Sequence, residues 1–200
     1  MFQNPLNKIF VLNVPEKFDF FKFQGLLSPK KRERLHLSEQ RGVEGIFGEI
    51  ILQVIAKSYK GQTSRLCYGD HGKPYFEDFN DFQFNISHSG GLVAVACSAE
   101  EIGVDIEILR EVDLKISNRF FTVEEKNFVK DRKSFFYVWT RKEAYVKRDG
   151  RGMAKGLNTF NSLEISEIKT FENETFTLSI CGKNAEKFEI IHINENHLKD

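Results

Sequence analysis

Phe82 to Glu107, FQFNISHSGGLVAVACSAEEIGVDIE, is the stretch on which the fold of this 200-residue chain turns. Phe82 to Ile86, Leu92 to Cys97 and Ile102 to Ile108 read as three strands, the first two joined by an S-H-S-G-G turn. In the last strand Gly103, Asp105 and Glu107 share one face, and Ile102, Val104, Ile106 and Ile108 the other. Burying the isoleucine/valine face leaves two carboxylates side by side. They repel, so the arrangement is costly unless a cation or a shared proton offsets it. The plainer alternative is an edge strand with a solvated acidic face.

Composition narrows the classes of function. Twenty-nine basic residues balance twenty-nine acidic ones, so no overall field draws the chain to nucleic acid or to a membrane. The apolar runs fall short of a membrane span. The N-terminus has a lone Lys8 before a short apolar run and no small-residue cleavage site, so no signal peptide is expected. Three cysteines, odd in number and far apart, read as free thiols in a reducing cytoplasm. The twenty phenylalanines speak of an aromatic core and say little about function.

Outward from the opening stretch, Lys8 to Val14 reads as a first strand. Ser28-Pro29 is suited to start a helix whose Lys31 and Arg34 share a face, either solvated or phosphate-binding. A long helix is expected from about Ser38 to Tyr59, with Ile46, Phe47, Ile50, Ile51, Val54 and Ile55 as its buried stripe. Gly42, Gly45 and Gly48 lower its propensity by up to ~1 kcal/mol each, which implies close packing against it. Arg65 to Tyr68 and Tyr75-Phe76 flank a Gly72-Lys73-Pro74 turn. After Glu107 the period becomes helical: Leu114 to Phe121, a capping box at Thr122 and Glu125, then a helix over Ser134 to Arg148 that stops at Gly150. Leu163 to Ile168, Thr175 to Ile180 and Phe188 to Ile193 read as closing strands.

In the last long helix Trp139, Glu143 and Lys147 recur at four-residue spacing, with Lys142 beside them. Glu143 and Lys147 alone are an ordinary helical ion pair worth ~0.2–0.5 kcal/mol. Set beside a D-x-E strand, Glu143 would complete three hard oxygen ligands of the kind magnesium takes, and a lysine nearby would neutralise a phosphate oxygen. His88 stands between serines ahead of Gly90-Gly91, where backbone N–H groups suit an anion, although a lone histidine is more often structural.

Six segments in register carry a resemblance: SPKKRE (28–33), GKP (72–74), FNISHSG (84–90), IGVDIE (102–107), RFFTVEE (119–125) and WTRKEAYVK (139–147). The chain resembles the 4′-phosphopantetheinyl transferases of the surfactin-synthetase type. That implies an α/β (α+β) fold of two pseudo-twofold lobes, residues 1–108 and 109–200, each a small, mostly antiparallel sheet on a long helix. It implies transfer of the phosphopantetheine arm of coenzyme A to a serine of an apo acyl or peptidyl carrier protein, by a magnesium-dependent monomer. By the same resemblance Asp105, Glu107 and Glu143 bind the metal, and Lys147 holds a phosphate oxygen, with Lys142 a weaker candidate. Lys31, Arg34, Ser87 and His88 meet the nucleotide phosphate, while Lys73 and Pro74 border the adenine.

Two departures from the family pattern keep a second reading open, in which coenzyme A or a carrier is bound with little transfer. Glu44 and Gly45 stand where relatives carry basic or hydroxyl residues, and the chain stops at His197-Leu198-Lys199-Asp200, which is expected to shorten the second lobe. An unrelated magnesium-dependent phosphohydrolase would explain neither the G-K-P turn nor the Lys31/Arg34 pair.

Overall fold

The Lys8–Asn13 run forms strand β1, and its alternation sets the layering. Phe10 and Leu12 enter one core, Ile9 and Val11 another. The computed structural model describes residues 2, 4–35, 42–150 and 156–199. In it β1 lies within a four-stranded sheet with β4 (Gln83–Ser89), β5 (Leu92–Ser98) and β9 (Glu189–Ile193), in the order β4-β5-β1-β9. The Phe10/Leu12 face is covered by helix α2 (Val43–Lys60), which buries the expected stripe from Ile46 to Ile55. The expected first residues of that helix, 38–41, lie outside the described residues. Before it comes the short helix α1 (Pro29–Leu35). Gly48 allows the close approach: a Cβ there would lie 2.8 Å from Ile86 Cγ2.

The Ile9/Val11 face of the first sheet meets a second sheet, β6 (Ile102–Ile108), β8 (Phe176–Gly182) and β7 (Ile168–Glu172), antiparallel in the order β6-β8-β7. Helix α5 (Arg132–Asp149) closes the outer side of that sheet through Ala144 against Ile168 and Cys181, and Thr140 against Ser179. The layers therefore run helix, sheet, sheet, helix: two similar lobes, each a small sheet on one long helix. A hairpin of β2 (Leu66–Tyr68) and β3 (Pro74–Phe76) flanks the first lobe.

At one edge the lobes are stitched together. β4 presents Asn85, Ser87 and Ser89 at alternate positions to the unpaired edge of β6. Asn85 Oδ1 accepts from Val104 N–H (2.9 Å), Ser87 Oγ from Ile106 N–H (3.3 Å) and Ser89 Oγ from Ile108 N–H (3.4 Å). Side chains thus satisfy the backbone groups that an edge strand would otherwise leave open. The S-H-S segment consequently belongs to β4 and not to the turn, as its residues suggested; the turn is Gly90-Gly91 alone, with φ of 54° and 86°.

Helix boundaries follow local chemistry. A 3-10 turn at Leu114–Ile116 leads into α3 (Ser117–Phe120). Thr122 and Glu125 form the expected capping box of α4 (Val123–Phe128), and Asp131 with Ser134 forms another that starts α5 two residues early. Gly150, at φ 70°, ends α5. Two expectations need correction. Residues 162–164 form a 3-10 turn, and the strand expected over Leu163 to Ile168 begins only at Ile168, because Ser162 is drawn inward to Glu125. The last strand does not extend the second sheet: β9 pairs in parallel with β1, and Ile193 and Leu198 join the first core.

Candidate active site

Gly103 fixes how close α5 comes to β6. A Cβ there would sit 2.1 Å from Ala144 O and 2.3 Å from Arg148 N, so backbone lies on backbone. Two and four residues along the same face come Asp105 and Glu107, while Glu143 and Lys147, one turn apart on α5, come down beside them. The result is a cavity of about 510 Å³ lined by Ser87, His88, Asp105, Glu107, Trp139, Glu143 and Lys147, with Ile86 beneath.

Asp105 is 4% exposed. Its Oδ1 accepts from Lys147 Nζ (2.6 Å) and Ser87 Oγ (2.8 Å), and its Oδ2 is buried without a partner. Burial pushes the Asp105 carboxyl above the ordinary carboxylate range, with Lys147 and Ser87 opposing. Burial also raises Glu143, and the charge of Asp105 raises it further. Glu107 Oε2 accepts from Ser89 Oγ (2.6 Å) and Arg110 Nη1 (3.1 Å). With Glu107 turned to Ser89 and Lys147 against Asp105, no three metal-ligating side chains form a closed cluster among the described residues.

A second group, of basic side chains, gathers at the start of α2. A Cβ on Gly45 would lie 3.8 Å from Lys31 Nζ and 4.0 Å from His88 Nε2, and one on Gly42 would lie 3.8 Å from Arg34 Nη1. His88 and Arg34 are exposed; Lys31 is half-buried and donates to Gly45 O. Glu44, expected to oppose an anion here, accepts at its Oε1 from Gly91 N–H (3.2 Å) and so holds the β4–β5 turn.

Three expected residues have protein partners of their own. Lys142 is brought to neither group: it is fully buried, 2.7 Å from the equally buried Glu125, and donates to Leu157 O and Phe160 O. Lys73 Nζ donates to Arg148 O (2.8 Å), tying the G-K-P turn to the end of α5, with Pro74 opening β3. Ser87 sits on the carboxylate side and not beside Lys31. Sequence reading missed Ser89 and Asn85, although the N-x-S-x-S alternation was their signal. It missed Glu49 as well, a 1% exposed carboxylate inside an apolar helix.

The family described as the 4′-phosphopantetheinyl transferase superfamily matches residues 101–198. A curated 4′-phosphopantetheinyl transferase of Bacillus subtilis (strain 168), Sfp, is 29% identical over 188 residues, covering 80% of this chain and 84% of its own. The 4′-phosphopantetheinyl transferase gsp of Aneurinibacillus migulanus is 31% identical over 163 residues, covering 74% of this chain and 68% of its own. The 4′-phosphopantetheinyl transferase AcpT of Salmonella typhi is 31% identical over 126 residues, covering 58% and 66%. Among the described residues no helix is long and apolar enough to cross a membrane.

Proposed function

The chain belongs to the 4′-phosphopantetheinyl transferase superfamily, and from that premise we propose that the cavity between β6 and α5 is where its reaction takes place. The enzyme transfers phosphopantetheine from coenzyme A to an apo carrier protein. The attacking serine oxygen of the carrier forms a new bond to the phosphorus that carries the pantetheine. The pyrophosphate bridge breaks, and adenosine 3′,5′-bisphosphate leaves.

The observation that carries this placement is the buried, partnerless Asp105 Oδ2 in a cavity shared with Glu107 and Glu143. Three carboxylates supply the hard oxygens that magnesium takes, and Asp105 Oδ2 among them is buried with no partner of its own. Asp105, Glu107 and Glu143 would hold the ion, which when bound neutralises charge on the pyrophosphate. Lys147, now against Asp105, holds a phosphate oxygen. Glu143, whose carboxyl is raised by burial and by the charge of Asp105, is suited to receive the serine proton. Lys31, Arg34 and His88 hold the 3′-phosphate at the far end of the nucleotide, and the G-K-P turn borders the adenine. Phosphoryl transfer asks for positioning and charge neutralisation more than covalent help, and cations at both ends of the nucleotide provide them.

The test is the intact mass of an apo carrier protein incubated with enzyme, coenzyme A and magnesium. A gain of one phosphopantetheine is expected, lost with a chelator and lost in Asp105→Asn. Wild-type transfer by Asp105→Asn would show that the reaction lies elsewhere.

A further inference from the structure

Glu49 is 1% exposed and lies in the second turn of α2, among Phe47, Ile50 and Ile51. A carboxylate in such surroundings is retained only with charged or hydrogen-bonded partners. Its Oε1 accepts from the Ser28 backbone N–H, and its Oε2 accepts from Ser28 Oγ (3.1 Å) and faces Lys31 Nζ at 3.4 Å. It thereby grips the residue before α1 and the ammonium one turn into it. Lys31 also donates to Gly45 O, and a Cβ on Gly45 would lie within 4.0 Å of both Lys31 Nζ and His88 Nε2. Lysine has three N–H donors and four rotatable bonds. Gly45 O takes one donor and the Glu49 carboxylate holds the ammonium as an ion pair, which stops the side chain from ranging freely and leaves donor capacity for an incoming anion.

We propose that Glu49 is the positioning residue for the anion site of α1 and α2, setting the Lys31 ammonium against the 3′-phosphate of coenzyme A. The proposal rests on the reading of Lys31 given above. The bland alternative is that Glu49 merely pins α1 to α2. The two differ in one respect: a positioning role concerns only ligands that carry the 3′-phosphate. Burial lowers the Lys31 ammonium from its ordinary value, and Glu49 opposes this.

Calorimetric titration with coenzyme A and with dephospho-coenzyme A, which lacks only that phosphate, separates the cases. Glu49→Gln keeps an acceptor for Ser28 but removes the charge. It is expected to weaken coenzyme A binding about tenfold and dephospho-coenzyme A binding much less. Glu49→Asp, with the charge drawn back by one methylene, should lose a smaller part of the same preference; it stays measurable should Glu49→Gln fail to fold. In a Lys31→Met background Glu49→Gln should cost little more, because both changes remove one interaction. Equal weakening of both ligands, an unchanged preference in Glu49→Gln and Glu49→Asp, or full additivity with Lys31→Met overturns the proposal. If Lys31→Met itself leaves the preference for the 3′-phosphate intact, the reading of Lys31 falls and Glu49 falls with it.

Discussion

Gly103→Ala inserts one methyl group where α5 rests on β6. The new Cβ would stand 2.1 Å from Ala144 O and 2.3 Å from Arg148 N. Ordinary carbon–oxygen contacts begin near ~3.3 Å, so α5 must rise or slide by about 1 Å. Both clashing atoms are main chain, so no side-chain rotation relieves them, and Ala144→Gly would not rescue the variant. Overpacking of this kind typically costs ~1–3 kcal/mol, more where backbone must move. At about 3 kcal/mol, a chain of this size should lose about 6–12 °C in Tm. The same displacement carries Glu143 and Lys147 away from Asp105 and Glu107. A 1 Å misplacement of catalytic groups can cost ~10²-fold in rate. Differential scanning calorimetry reads the first effect, and carrier mass against time, below the new Tm, the second. Loss of stability with wild-type rate would place the chemistry away from α5. A variant with wild-type Tm and rate would refute the helix placement itself.

Three further expectations follow from groups around the site. Lys142→Met leaves the fully buried Glu125 without its cation and two carbonyls without a donor, a loss of about 3–5 kcal/mol that urea denaturation would show; an unchanged midpoint would exclude the buried pair. Lys115→Glu reverses an exposed charge next to the exposed Ile116 on the segment that ends in Arg119; if a carrier docks there, its apparent KM rises several-fold at low salt while that of coenzyme A stays put, and equal shifts in both would count against this surface. The Ser134 N–H in the α5 cap holds the Asp131 carboxyl below its ordinary value of 3.8. The stability this adds is complete above that value and is lost as pH falls through the depressed native one. Asp131→Asn keeps a cap that cannot titrate, so the advantage of wild type should vanish over that acid window; a constant difference would refute it.

What the sequence disclosed, it disclosed where one local rule acts alone. The two carboxylates on one face of β6 follow from a period of two, the start of α4 from its capping box, and the end of α5 from Gly150. Where several elements compete for one residue, spacing was silent. Lys142 is a chain neighbour of Glu143, yet α5 is packed on more than one side, and a 100° turn of the helix sends the lysine to Glu125, seventeen residues earlier. The S-H-S segment looked like a turn because its serines are polar; they are polar because they serve the edge of another strand. Glu49 lay hidden by the same logic, its partners being on a different helix.

The parallel pairing of β9 with β1 has a consequence for the order in which the molecule can be made. β1 leaves the ribosome long before β9, so one edge of β1 waits, open, while all the residues between them are made. Closing so long a loop is entropically slow, and pairings between distant segments slow folding generally. Until then an apolar strand offers unpaired N–H and C=O groups to any passing chain. The two lobes therefore cannot be parted by a single cut: a fragment that stops short of β9 would keep that edge of β1 permanently exposed. The sheet of the first lobe is completed by a strand that follows the whole second sheet along the chain.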